Sequence, residues 1–161
     1  MYRFPKNDCE VLDVNNISAE ELAKHLLGKI EDKITMEKLK NKIVLVIDDD
    51  ERNIYALMSY LETLEIETKA AYNSAQAILM LQKNLKPDMI LLDIMMPIMD
   101  GYEMLGYIKH TDELKHIPVI VVTAKASSAD RKKCLEAGAW DYVSKPIDMT
   151  ALIEKMKHWM A

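Results

Sequence analysis

The chain has 161 residues, half of them hydrophobic and few aromatic, with a formal net charge of −5. That is enough for one domain with a real core plus an extra segment. The acidic balance, with no long basic run and no winged or helix-turn-helix segment, argues against direct binding of nucleic acid. No apolar run is long enough to cross a bilayer, and MYRFPKNDCE lacks the apolar stretch of a signal peptide. The expected location is the cytoplasm, with Cys9 and Cys134 as reduced thiols: they lie far apart and show no metal-ligand spacing.

Residues 1–40 differ in character from the rest and read as an N-terminal extension or linker. The first part, with Pro5 and DVNN, reads as irregular. Ser18 with Glu21 forms a capping-box pattern, and Leu22, Leu26, Leu27, Ile30 and Ile34 follow at helical spacing. The spacing predicts a helix over about 19–33, with a short second helical turn around MEKLK. From residue 41 to 161 the elements alternate. KIVLVI (42–47) is a β-branched run suited to a strand buried on both faces. RNIYALMSYLETL (52–64) is helical, IETKAAY (66–72) alternates like a strand, and Asn73-Ser74 caps a helix through AQAILMLQKN. DMILLD (88–93) is an apolar strand, GYEMLGYIKH from Gly101 a helix, and VIVVTA after Pro118 a fourth strand. Ser127 or Ser128 caps ADRKKCLEAG, Gly138 ends that helix, DYVSKP is a short fifth strand, and Asp148 caps MTALIEKMKHWM. Strands alternating with helices predict an α/β fold: a doubly wound parallel sheet, helices on both faces, in the flavodoxin-like order 2-1-3-4-5.

In such a sheet every C-terminal strand tip points the same way. The first strand ends in Asp48-Asp49-Asp50, the third in Asp93, the fourth in Thr123-Ala124, and the fifth in Ser144-Lys145-Pro146. The switch point between strands one and three puts Asp93 beside the first-strand acids, with a hydroxyl and an ammonium nearby. Carboxylates this close repel unless a cation sits among them, and hard oxygen ligands without His or Cys favour Mg²⁺. A carboxylate nucleophile, a divalent cation, a hydroxyl, a lysine and backbone amides are what phosphoryl transfer to an aspartate requires.

Residues 41–161 resemble the receiver domain of two-component response regulators, the CheY-like family. IVLVIDDD, LLDIMMPIMDG, VIVVTA and DYVSKP carry the resemblance, in order and each at a strand end. RNIYAL and DRKKCLEAGAWDYVSKP are closest in phrasing to the C-terminal receivers of hybrid sensor histidine kinases. The resemblance implies that Asp93 is the phosphoacceptor and that Asp48 and Asp49 hold Mg²⁺ or Mn²⁺, Asp49 directly and Asp48 partly through water. It implies that the Met95 backbone carbonyl completes the protein ligands, that Lys145 pairs with phosphoryl oxygens, and that Thr123 and the Ala124 amide donate to them. Tyr142 matches the switch aromatic that moves inward with Thr123, and the Lys145–Pro146 bond is expected to be cis. The implied partner is a histidine kinase or histidine phosphotransfer protein as phosphodonor. A homodimer through the fourth helix, fifth strand and fifth helix of the domain (about 128–160) is a further expectation. The protein would catalyse its own phosphorylation and dephosphorylation without independent multiple turnover. It is either a stand-alone regulator or the receiver of a hybrid kinase.

Several residues have plainer readings. Asp50 reads as an acid at a helix N-terminus, Met95, Met96 and Met99 as adaptable packing, and His110, His116 and His158 as surface. His25, in KHLLGK, resembles the phosphodonor pattern of histidine phosphotransfer domains only in Leu27. Gly28 and Lys29 stand in reversed order, and forty residues cannot supply a four-helix bundle. The rival class is a haloacid-dehalogenase-type phosphatase using Asp48. It wants Thr or Val where Arg52 stands, and a late acidic pair where this chain has Thr123-Ala124.

Overall fold

A computed structural model describes residues 17–125 and 127–160. Strands β1 (Ile43–Ile47), β2 (Glu67–Ala71), β3 (Met89–Asp93), β4 (Val119–Thr123) and β5 (Asp141–Ser144) form one parallel sheet in the order β2-β1-β3-β4-β5. The helices are α1 (Ala19–Leu39), α2 (Glu51–Thr63), α3 (Ser74–Gln82), α4 (Gly101–His110), α5 (Ser128–Ala137) and α6 (Met149–Met160). The flavodoxin-like order is the expected one.

The two-residue period of a strand explains why the central runs are apolar throughout. Val44, Val46, Met89, Leu91, Ile120, Val122 and Val143 face a core built with α2 and α6. The alternate residues Leu45, Ile47, Ile90, Leu92, Val119 and Val121 face a second core built with α3, α4 and α5. Both sides of β1, β3 and β4 are therefore dry, and polar side chains are confined to their ends.

Those ends are shaped by capping. Asp50, Asn73, Asp100 and Ser127 each accept a backbone N–H in the first turn of α2, α3, α4 and α5, and Asp148 does so for Thr150 and Ala151 at the start of α6. Gly138 closes α5 in the left-handed conformation at φ 118°.

The N-terminal helix departs from expectation at its far end. Ser18 and Glu21 make the predicted capping box, but α1 runs unbroken to Leu39, and MEKLK is its last turn rather than a second piece. Nothing between Lys33 and Met36 breaks a helix, and the Thr35 hydroxyl folds back on the Glu31 carbonyl (2.8 Å). Tertiary contact holds the extension: Leu39 is fully buried in the α2/α6 core and Met36 packs against it. Asn41, at φ 60°, then turns the chain into β1 and donates its N–H to the Glu65 carbonyl (2.8 Å). The irregular segment and Cys9 lie outside the described residues; Cys134 is a free, buried thiol.

Candidate functional site

Register brings the acids together. Ile47 is opposite Leu92, so Asp48, the next residue, comes level with Asp93 at the tip of β3. Asp93 is in turn opposite Val122, and Thr123 opposite Ser144, which places Lys145 one step beyond the sheet edge. Asp48, Asp93 and Thr123 are buried, at 3 %, 4 % and 1 % exposure.

Burying two carboxylates is costly unless they are paired and hydrogen-bonded. Lys145 Nζ lies 3.1 Å from Asp48 Oδ2 and 3.1 Å from Asp93 Oδ2, bridging both. The remaining oxygens are satisfied locally. Asp93 Oδ1 accepts the Met95 N–H (2.9 Å), and Asp48 Oδ1 accepts the Asp50 N–H (2.8 Å). Asn53, one turn into α2, donates its side-chain amide to Asp48 Oδ2 (3.1 Å). The sequence reading missed Asn53; the available signal was an amide five residues after a strand-end acid, on the helix that begins between them. Burial, with a smaller contribution from the charge of Asp48, pushes the Asp93 carboxyl above its ordinary value against the Met95 amide and Lys145. Burial also works against the Lys145 ammonium, but the two carboxylates outweigh it and its pKa is raised.

Asp49 is exposed, yet Asp48, Asp49 and Asp93 can each offer a carboxylate oxygen within 4.8 Å of the others. Carboxylates this close could converge on a single divalent cation through adjustment of their side chains. The set contains no imidazole or thiolate and suits a hard divalent cation. Asp50 is not part of it: it caps α2 and pairs with Arg52 (2.8 Å), and bonds from the Arg52 side chain and amide hold its pKa down to about 2.

Two hydrogen bonds hold the loop after Asp93. Gly101 N–H closes it on the Ile94 carbonyl (3.1 Å), and the Ser74 hydroxyl donates to the Met99 carbonyl (3.3 Å). A Cβ on Gly101 would come within 2.6 Å of Ile94 Cα and 2.8 Å of the Asp93 carbonyl oxygen, so only glycine fits there. Met96 is buried, while Met95 is half exposed and Ile98 fully exposed at φ 71°.

The hydroxyl of Thr123 accepts the Lys125 N–H (3.2 Å), and Ala124 is exposed beside it. The Lys145–Pro146 bond is cis, as expected, and Lys145 N–H donates to the Thr123 carbonyl (2.7 Å). Tyr142 stands further from the edge, opposite Val121, with its ring against the α3/α4/α5 core. Its hydroxyl is buried without a hydrogen-bond partner among the described residues, and burial raises its pKa. His25 is partly exposed, and His110, His116 and His158 are on the surface. The tip of β4 carries Thr123 and Ala124, not the acidic pair a haloacid-dehalogenase-type phosphatase needs.

Residues 44–157 match the family model described as the response regulator receiver domain. The polar-differentiation response regulator DivK of Brucella anthropi is 37 % identical over 119 residues, covering 74 % of this chain and 96 % of DivK. The response regulator PleD of Caulobacter vibrioides is 39 % identical over 114 residues, covering 71 % of this chain but only 25 % of PleD. Among solved structures, the receiver domain of Ssk1 from Saccharomyces cerevisiae, crystallised with the histidine phosphotransfer protein Ypd1, superposes with a TM-score of 0.69. It is 26 % identical and the match covers 76 % of this chain and 90 % of that one. With a parallel sheet in the order 2-1-3-4-5 and acids gathered at its C-terminal edge, the chain belongs to the response regulator receiver domains, the phosphoacceptor modules of two-component phosphorelays.

Proposed function

We propose that Asp93 is the phosphoacceptor and that the edge around it is an Mg²⁺-dependent (or Mn²⁺-dependent) aspartyl-phosphorylation site. The observation that carries this reading is Lys145 Nζ bridging two buried carboxylates at 3.1 Å each, with a third acid in reach. Asp48, Asp49, Asp93 and the Met95 carbonyl would hold the cation, which supplies charge neutralisation for the transferring phosphoryl group. Asp93 Oδ2 attacks the phosphorus of a phosphohistidine; the P–N bond breaks as the P–O bond forms, and the imidazole leaves with its electron pair. Lys145, already poised at Asp93, follows the charge onto the phosphoryl oxygens. The Thr123 hydroxyl and Ala124 amide donate to the other oxygens.

Phosphorylation asks Thr123 to turn from the Lys125 amide toward the phosphate. The space it leaves, and a Tyr142 hydroxyl without a partner among the described residues, support a coupled inward movement of that ring that alters the α5–β5–α6 surface. The donor is a histidine kinase or histidine phosphotransfer protein, a reading favoured by the likeness to a receiver crystallised with such a protein, and the receiver itself works in the cytoplasm. No helix among the described residues is long and apolar enough to cross a membrane.

The test is labelling by acetyl phosphate, or by a phosphorylated histidine phosphotransfer protein, with and without EDTA. Wild type should label one site per chain only with the divalent cation, and Asp93→Asn should not label. Labelling of D93N at the wild-type rate would refute the assignment. Hundreds of turnovers on a phosphate monoester would point instead to phosphatase chemistry at Asp48.

A further inference from the structure

Helix α1 touches the rest of the protein along one side. Leu39 is buried, Met36 packs on the α2/α6 core, and Asp32 reaches Lys157 Nζ at 3.4 Å. At about 100° per residue, Ala23, Leu27, Ile30 and Ile34 fall on the opposite side of the helix. On this outer side Leu26, Leu27, Ile30 and Ile34 are 50 %, 58 %, 54 % and 53 % exposed. A contiguous apolar stripe of this kind marks an interaction surface. Its 4-3-4 spacing, from Ala23 to Leu27 to Ile30 to Ile34, alternates the d and a positions of a heptad.

We propose that α1 is a self-association element, and that its outer seam is covered by the antiparallel α1 of a second copy of this chain. In that pairing Leu27 meets the second copy's Ile30, and the small Ala23 meets the bulky Ile34, so both layers fill without leaving a gap. The flanking charges select the direction. Antiparallel helices bring like heptad flanks together, so Lys24 faces the second copy's Glu31, twice by symmetry. On the other flank the Lys33 stem lies over Leu26. A parallel pair would instead set Lys33 against Lys38 and Leu26 against Glu31. The seam ends where Glu20 would meet Glu37, each already held within its own chain by Lys24 (3.2 Å) and Lys40 (3.1 Å).

A seam of two heptads buries less than the ~1,200 Å² of a standard stable interface, so the association is a weak, concentration-dependent one. The inner side of α1 lies on α6, but the outer seam contains no residue of α5, β5 or α6, so association does not require Asp93.

Sedimentation of the full chain over a range of concentrations tests this. The expected result is a monomer–dimer equilibrium, unchanged in Asp93→Asn and shifted at least tenfold toward monomer by Ile30→Glu, at a half-exposed position. Lys24→Glu and Glu31→Lys should each weaken the dimer severalfold, and the double exchange should restore it; a parallel pair would show no such rescue. A chain that stays monomeric throughout, or a dimer untouched by Ile30→Glu, overturns the proposal. So does a monomer that dimerises only once residues 1–16 are removed, since the occupant would then be the chain's own N-terminal segment.

Discussion

Asp88 and Asp93 stand at the two ends of the same strand, and the difference between them separates structure from function. Asp88, before β3, is partly exposed. One oxygen accepts the Ile43 N–H (2.8 Å) and the other faces Lys42 Nζ (3.3 Å), so it pins the entry of β1 to the entry of β3. Its partners are neighbours on the adjacent strand, and water relieves its charge. Asp93 is buried, shares its lysine with a second carboxylate, and has its pKa raised, chiefly by burial. One acid stabilises the sheet where it is. The other is held in an environment that disfavours its charge, the condition expected of the proposed phosphoacceptor.

Exchanging both acids for amides separates these roles most sharply. Asp93→Asn should lose labelling altogether and yet melt no lower than wild type at pH 7. The sign follows from linkage: a carboxyl whose folded pKa is raised loses stability as pH climbs from its unfolded to its folded value, so removing its charge relieves the native state. A melting temperature several degrees below wild type for D93N would show that Asp93 is structural, like Asp88. Asp88→Asn should label normally while losing about 1–2 kcal/mol in urea unfolding, the cost of weakened charge-assisted bonds.

Removing Lys145 tests whether the functional edge depends on positive charge. Lys145→Ala leaves Asp48 and Asp93 facing each other. Breaking a fully buried pair costs about 3–5 kcal/mol, and partial exposure of the lysine reduces this to about 1–3 kcal/mol. Millimolar Mg²⁺ should restore much of the loss, while EDTA should not; equal unfolding curves in both would remove the cation from the account. Gly101→Ala should cost about 1–3 kcal/mol through the clash with Ile94 and Asp93 backbone, and should slow labelling without abolishing it.

The smallest effect is expected at Asp141, another acid with a structural part. Burial alone would raise its pKa, but bonds from Lys155 (2.7 Å), the Tyr142 amide (2.8 Å) and Trp159 (3.1 Å) lower it below 3.8. Its stabilisation is therefore fully present above about pH 4 and lost as pH falls through the depressed folded value. Asp141→Asn should flatten the acid limb of the stability–pH curve by roughly 1 kcal/mol and leave labelling intact.

Much of this is legible in the sequence. Strand runs of β-branched residues bounded by Asp, Asn, Ser and Gly caps gave away the alternation, because strand period and cap chemistry are local. The gathering of Asp48, Asp93 and Lys145 was legible for a related reason: in a parallel sheet of known order, all strand tips share one edge. The bond from Asn53 to Asp48 was not legible, because it depends on how α2 is rotated against β1. The unbroken course of α1 was missed because Ile34 and Thr35, weak helix formers, separate two helical stretches, and continuity through them is supported by Leu39 entering a core built from distant segments.

By itself, then, the sequence determined the order of elements, the sheet topology and which residues end each strand, since those follow from periodicity, capping and the handedness of crossovers. Only the tertiary structure decided that a single lysine answers two buried acids, that Gly101 has no room for a side chain, and that no other described residue covers the outer face of α1. The lysine bridges span 52 and 97 residues of chain, α1 meets α6 across 125, and Gly101 is crowded by a loop folding back on Ile94 and Asp93; in each case packing decides, not local preference.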